Sequence, residues 1–288
     1  MQLGPVGIWS SQFRTADRTQ AKAAIVELEK LGFGTVWIPE SGTNVILEVL
    51  PDLLDASNDI VVASGILNIW MHEPDEVAAA YHQFVSKHPE RFLLGLGASH
   101  ASLVEPATGR QYERPRSMMI EFLDALDAAS PAVGATDRIL AALGPKMLEL
   151  ARDRAIGAHP YCVPVAHTAV AREALGEGPV LAPELKAILN EDPAIARELA
   201  RKHLDHYLEM PNYANNVRRF GFTQDDLDHG GSDRLVDALV AWGSPEVIAE
   251  RVREHHDAGA DHVCVNVITE DTSQFPIEEW RAIAAALA

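Results

Sequence analysis

The chain of 288 residues predicts an α/β fold, a (β/α)8 barrel formed by a single domain over residues 1–288. Three observations carry that expectation. Short β-branched or apolar runs alternate with longer helical patterns eight times along the chain, the rhythm of parallel strands joined by helical crossovers. Several helical patterns open on proline, whose missing N–H costs nothing in a first turn. One helix-to-strand junction also occurs near both ends: Gly32 corresponds to Gly259, Val36 to Val263 and Ile38 to Val265, as the second and last strands of a closed barrel would show.

In chain order, strands are expected over residues 5–10, 35–41, 60–68, 92–99, 138–143, 157–163, 180–182 and 262–268. The helices between them are expected to start near Asp17, Thr43, Pro74, Pro115, Pro145, Val165, Pro193 and Pro276. The helix over 19–31 carries Ile25, Leu28 and Leu31 on one stripe, and Gly32 supplies its C-cap. Residues 192–243 break the rhythm. A long helix over 193–208, the segment Met210-Pro-Asn-Tyr-Ala-Asn-Asn-Val-Arg-Arg-Phe-Gly-Phe and a helix over 232–242 predict an all-helical insertion between strands seven and eight. Such insertions cover active-site mouths or build dimer interfaces.

Composition excludes several classes. Against 42 acidic side chains stand 24 basic ones, a formal charge of −18, with no run of Lys and Arg to grip a phosphate backbone or an anionic membrane. The longest uncharged apolar stretches, 60–71 and 92–104, fall short of the roughly 18–20 residues of a membrane helix. Residues 1–9 show no cationic segment ahead of an apolar one, so a cytoplasmic location without a secretory signal is expected. Two cysteines, Cys162 and Cys264, cannot build a disulfide scaffold and read as buried thiols in a reducing compartment.

Barrel chemistry sits at the C-terminal ends of strands. The residues to weigh are therefore Trp9 and Ser10; Glu40 and Ser41; Asn68, Trp70 and His72; Ser99 and His100; Gly144; His159 and Tyr161; Glu184; Asn266 and Thr269. Gly95 and Gly97 let backbone approach a flat ring or a phosphate, but His100 stands where a dinucleotide fingerprint needs its third glycine. The alternative is a tight rim turn without a ligand. The twelve histidines lack metal-ligand spacing, the first strand ends without a His-x-His pair, and no metal is expected. Most of these histidines read as surface or rim residues. No nucleophile elbow or phosphate-binding lysine loop is present. Asp225-Asp-Leu-Asp-His reads as a solvated helix start, and Arg218-Arg219 as either a solvated pair or an anion contact at the mouth.

Six segments together resemble the luciferase-like monooxygenase superfamily, in its actinobacterial branch of coenzyme F420-dependent oxidoreductases: Leu31-Gly-Phe-Gly-Thr-Val-Trp-Ile-Pro-Glu, Ala63-Ser-Gly-Ile-Leu-Asn-Ile-Trp, Gly95-Leu-Gly-Ala-Ser-His, Gly144-Pro-Lys-Met-Leu-Glu-Leu-Ala, Gly157-Ala-His-Pro-Tyr and Tyr207-Leu-Glu-Met-Pro-Asn-Tyr-Ala-Asn-Asn-Val-Arg-Arg-Phe-Gly-Phe. The resemblance implies a non-prolyl cis peptide at Gly65-Ile66 pressed against the deazaflavin ring. It places Ser41, Gly65, Ile66, Leu67, Gly97, Ala98 and Ser99 around the coenzyme, with Gly157, Ala158 and His159 donating to its polar tail. Helix N-termini beyond strands six and seven would bind an anion, with Thr168 as a hydroxyl donor.

The chain also departs from relatives that oxidise sugar phosphates or alcohols. Those carry an acidic residue and a histidine base after strand two, where this chain has Glu40-Ser41, and a glutamate after the Gly-x-Gly of strand four, where it has Ala98. The expected catalytic set is therefore Glu40 at the ring edge with His100 or His72 moving the proton, and Trp9 and Trp70 walling the pocket. The resemblance implies hydride transfer between F420 and a small, apolar or conjugated organic substrate in a homodimer. An FMN-dependent monooxygenase of the same fold, and a non-catalytic flavin-binding protein that has lost its base, are the alternatives.

Overall fold

The computed structural model describes residues 1–40 and 46–288. The strands are β1 (Val6–Trp9), β2 (Thr35–Ile38), β3 (Val61–Ser64), β4 (Leu67–Asn68), β5 (Phe92–Gly97), β6 (Arg138–Leu140), β7 (Gly157–Ala158), β8 (Val180–Leu181), β9 (Glu184–Ile188), β10 (Val240–Trp242) and β11 (Val263–Val267). Every pair is parallel, in the order β10-β9-β11-β1-β2-β3-β5-β6-β7-β8, with β4 added beside β5. The sheet is curled: β8, at one end of that path, and β9, next to the other end, are separated in sequence only by Ala182 and Pro183. The Asp261 and Cys264 N–H groups bond to the Leu181 and Pro183 carbonyls at 2.9 Å across the join.

The helices are α1 (Gln12–Thr15), α2 (Arg18–Lys30), α3 (Ile46–Ala56), α4 (Pro74–Lys87), α5 (Ala101–Thr108), α6 (Pro115–Ala128), α7 (Pro145–Arg154), α8 (Val165–Leu175), α9 (Pro193–Leu208), α10 (Pro211–Arg218), α11 (Gln224–Leu227), α12 (Asp233–Leu239), α13 (Pro245–Asp257) and α14 (Ile277–Leu287). Proline opens α4, α6, α7, α9, α10 and α13, where no intrahelical donor is lost. The Asp17 carboxylate caps α2, accepting the Thr19 and Gln20 N–H groups. The two strands of the repeated junction flank β1: Ile8 pairs with Val36 of β2 on one side and with Val265 of β11 on the other. Gly32 and Gly259 both take the left-handed conformation, φ 85° and 101°, that turns helix into strand.

Several expected boundaries are corrected. Pairing of the sixth strand stops at Ala158 instead of reaching 163, in a stretch where Pro160 and Pro164 have no N–H to give a ladder. β9 was not expected, because Glu184 and Lys186 interrupt its apolar pattern. Residues 192–243 are not all helical: the expected helix over 232–242 ends at Leu239, and Val240–Trp242 pairs with Lys186–Ile188 of β9. The helix expected from Thr43 is seen from Ile46, its start lying outside the described residues. Five of the twelve histidines, His72, His159, His167, His255 and His262, are buried, while the other seven are exposed or partly exposed. Both cysteines are free and buried. Among the described residues no helix is long and apolar enough to cross a membrane.

Candidate active site

At the C-terminal ends of the strands the chain encloses a cavity of about 740 Å³, walled by the loops after β1, β2, β5 and β6 and by one face of α10. Its most distinctive wall is the interruption between β3 and β4. Ala63 pairs with Leu93 and Leu67 with Leu96, four residues against three, so one extra residue is extruded. The Gly65-Ile66 peptide there is cis. Two glycines of β5 make room for it. A Cβ on Gly95 would lie 1.9 Å from the Ser64 carbonyl oxygen, and one on Gly97 would lie 2.5 Å from Ile66 Cδ1. The Ser64 hydroxyl donates to the Gly95 carbonyl and accepts the Gly95 N–H, both at 2.8 Å. From the other side the Trp9 indole donates to the Gly65 carbonyl at 2.9 Å.

Glu40 is locked onto this bulge. Its N–H donates to the Ile66 carbonyl at 3.1 Å, one carboxylate oxygen accepts the Asn68 N–H at 2.7 Å, and the other lies 2.7 Å from His72 Nε2. The Glu40 and His72 side chains are both inaccessible to solvent. Glu40 nevertheless borders the cavity, whereas His72 stands behind it. His72 Nδ1 has no partner among the described residues.

His100 lies on another wall. Asn212 Nδ2 donates to its Nδ1 at 3.1 Å, so its proton sits on Nε2, which faces the Tyr213 hydroxyl at 3.2 Å. Burial, then His206, lowers the His100 pKa to about 4, so the ring is neutral at pH 7. His159 stacks on Trp37 with ring centroids 4.4 Å apart and donates from Nδ1 to the Ala182 carbonyl at 2.7 Å. Burial lowers its pKa to about 4 as well.

Of the residues named from sequence, Trp9, Glu40, Gly65, Ile66, Ala98, Ser99, His100, Gly144, His159, Tyr161, Asn266 and Thr269 line the cavity. Ser99 holds φ 54°, and its carbonyl accepts the Tyr112 hydroxyl at 2.9 Å. Gly97 acts from behind, as the vacancy that Ile66 fills. Leu67, Gly157 and Ala158 are buried in strands and do not reach the cavity, nor does Thr168. Thr168 is corrected as an anion donor: it lies between α8 and α13 with its hydroxyl 2.8 Å from His255 Nδ1. Ser41 lies outside the described residues. Of the pair Arg218-Arg219, Arg219 borders the cavity beside Gly144, while Arg218 bonds to Asn215 and Gln224.

Of the floor, sequence reading named Tyr161, Glu184 and Asn266 as strand-end residues but missed the lysine that joins them. Lys186 is fully buried, 2.9 Å from both oxygens of Glu184 and 3.8 Å above the Tyr161 ring. Burial alone would lower the Lys186 pKa, but Cys162, Glu184 and Tyr207 outweigh it and raise it. The Tyr161 hydroxyl donates to that of Tyr207 at 2.9 Å, and both rings line the cavity with Tyr213 and His203. Burial, chiefly, pushes the Tyr161 pKa well up, so the phenol keeps its proton. One signal was available: residues two apart in a strand share a face, and Glu184-Leu-Lys is such a pair of opposite charges.

A family model described as luciferase-like monooxygenase matches residues 5–262. No curated protein sequence matches the chain. Among solved structures, an F420-dependent secondary alcohol dehydrogenase in complex with an F420–acetone adduct superposes with TM-score 0.78 at 16% identity, covering 100% of both chains. The coenzyme F420-dependent tetrahydromethanopterin reductase of Methanopyrus kandleri gives TM-score 0.78 at 14% identity, over 100% of this chain and 99% of its own. The FMN-bound oxygenating constituent of 3,6-diketocamphane monooxygenase from Pseudomonas putida gives 0.68 at 15% identity, over 99% and 97%.

Proposed function

The chain belongs to the luciferase-like monooxygenase family, and from that premise we propose that it is a coenzyme F420-dependent oxidoreductase moving a hydride between the deazaflavin and a small organic substrate. The observation that carries this reading is the Gly65-Ile66 bulge on the cavity wall, with the Glu40 carboxylate fixed at its edge and Gly97 leaving the space that Ile66 occupies. A flat tricyclic ring fits such a seat: the bulge offers it one apolar face, and the backbone at Ala98 and Ser99 runs alongside. When bound, the deazaflavin supplies a ring carbon that gives or takes a hydride. The chain's own work is to orient ring and substrate and to exclude water. Glu40 accepts a hydrogen bond from the ring edge, and His100, neutral with its proton on Nε2, shares that proton with the Tyr213 hydroxyl beside the substrate. The reading includes a closed (β/α)8 barrel over 1–288 with residues 192–243 inserted before its last strand, acting in the cytoplasm as a homodimer.

Titration of the purified protein with F420 and with FMN, followed by fluorescence, tests the proposal. F420 should bind at least about tenfold more tightly than FMN, and Gly97→Val should lose about tenfold or more, because the added methyls drive Ile66 into the ring seat. Failure to bind either coenzyme sinks the proposal. Preference for FMN, with oxygen consumption by the reduced complex, transfers the chain to the monooxygenases. Tight binding with no turnover of any substrate leaves a binding protein.

A further inference from the structure

The cavity reverses the charge of the molecule. On a chain of net charge −18, the formally charged side chains lining it are Arg14, Arg116 and Arg219 against Glu40 alone. Three of the lining histidines do not alter that sum: burial lowers the pKa of His100 and His159 to about 4 and of His203 to about 3, leaving all three neutral at pH 7. The three arginines are not equivalent. Arg116 and Arg219 are exposed, near Lys146 and Gly144 at the start of α7. Arg14 is half-buried on the opposite wall, beyond the end of β1, and donates one Nη1 bond of 3.1 Å to the Pro39 carbonyl. Pro39 precedes Glu40, so Arg14 is the arginine tied to the bulge.

No carboxylate lies within ion-pair distance of Arg14 among the described residues, and residues 41–45, Ser-Gly-Thr-Asn-Val, contain none. Glu40 is already committed to Asn68 and His72. Burial lowers the Arg14 pKa, and Glu40, acting from beyond ion-pair distance, offsets only part of that. A half-buried guanidinium with no carboxylate in contact is costly, and the cost is recovered when an anion arrives. One guanidinium with one arm already used presents its remaining N–H groups as a planar fork, the match for a carboxylate.

We propose that Arg14 anchors a carboxylate of the substrate, which makes the substrate class small organic acids whose reacting carbon lies over the bulge. The inference deepens the function proposed above and, for the substrate's role, rests on it. It also replaces the expectation of an apolar substrate: the apolar or conjugated portion lies between Trp9 and Ile66, and the charged end defines the orientation.

Isothermal titration of the full chain with cinnamate and with its uncharged counterpart cinnamamide, with and without saturating F420, is the test. Wild type should bind cinnamate at least about tenfold more tightly than the amide, the worth of a charge-assisted fork. Arg14→Met should bring the two within about threefold, Arg14→Lys should keep part of the preference, and Arg219→Met should keep all of it. Raising the salt should weaken cinnamate and leave the amide unchanged. Equal binding of acid and amide by wild type, binding of neither, or a preference that survives Arg14→Met or is lost with Arg219→Met, overturns the assignment. Circular dichroism and urea midpoints establish that the Met variant is folded; should it not be, the Lys variant carries the comparison, and a complete loss of preference there overturns it too. An Arg14-dependent preference in a protein that binds no F420 would leave the anion site standing while the proposed coenzyme falls.

Discussion

Two buried carboxylates, Glu40 on the cavity wall and Glu184 paired with the lysine behind the Tyr161 ring, have opposite surroundings. Glu184 uses its full accepting capacity within the fold, taking two bonds from Lys186, one from Asn266 and one from the Cys162 N–H, at 2.8 to 3.1 Å. Glu40 takes two among the described residues, from Asn68 and His72, and borders the cavity. The same chemical group is thus a saturated strut at the floor and a half-satisfied contact at the bulge. Saturation separates support from site here better than burial does, since both side chains are inaccessible to solvent.

The floor should therefore break hardest. Lys186→Met leaves the Glu184 charge buried and unpaired, and a loss of about 3–5 kcal/mol in urea unfolding is expected. Replacing both partners, Glu184→Gln with Lys186→Met, should recover part of it. A loss below about 1 kcal/mol for the single variant would mean that the pair is not the strut described above, and the contrast with Glu40 would lose its basis.

A second effect, smaller and confined to acid pH, belongs to the neutral ring beside that floor. His159 in the folded chain has its pKa lowered to about 4 by burial, against roughly 6.5 in an unfolded chain. Between those values the unfolded state binds the proton and the folded state does not, so stability is fully present above about pH 6.5 and is lost as the pH falls toward 4. His159→Phe keeps the stack on Trp37 and removes this titration. The slope of stability against pH in that window should flatten by about one proton, or ~1.4 kcal/mol per pH unit. Urea midpoints at several pH values measure it, and an unchanged slope would show that the folded ring takes up its proton as readily as the unfolded one.

How much of this was legible in sequence divides along the same line. Strand alternation and the doubled glycine junction predicted the curled parallel sheet because both are local: Gly32 and Gly259 each turn one helix into one strand. The bulge corner was legible through resemblance, since Gly65, Ile66, Gly97 and Glu40 fall within a few contiguous motifs. The floor was legible only in part: Tyr161 and Glu184 stand at expected strand ends, but Lys186 and Tyr207 come from β9 and from within α9, and only the folded chain brings them against Tyr161. Thr168 failed for a related reason: a hydroxyl on the first turn of α8 was read as facing a ligand, and the packing of α13 gives it His255 instead.

The smallest change in stability should come from the bulge and carry the largest change in binding. Glu40→Gln keeps an oxygen for the Asn68 N–H and offers an amide N–H to His72 Nε2, so both hydrogen bonds can be remade and the cost should stay within about 1 kcal/mol. What it removes is the negative charge, and with it the stronger acceptor that the proposed function assigns to Glu40 at the ring edge. F420 affinity should fall by about tenfold, read by the same fluorescence titration, while the urea midpoint scarcely moves. The reverse outcome, a large loss of stability with unchanged coenzyme affinity, would make Glu40 a second strut and erase the distinction between the two corners. A loss in both would place the coenzyme's contact and the fold's support on one carboxylate, which its two filled acceptor sites argue against.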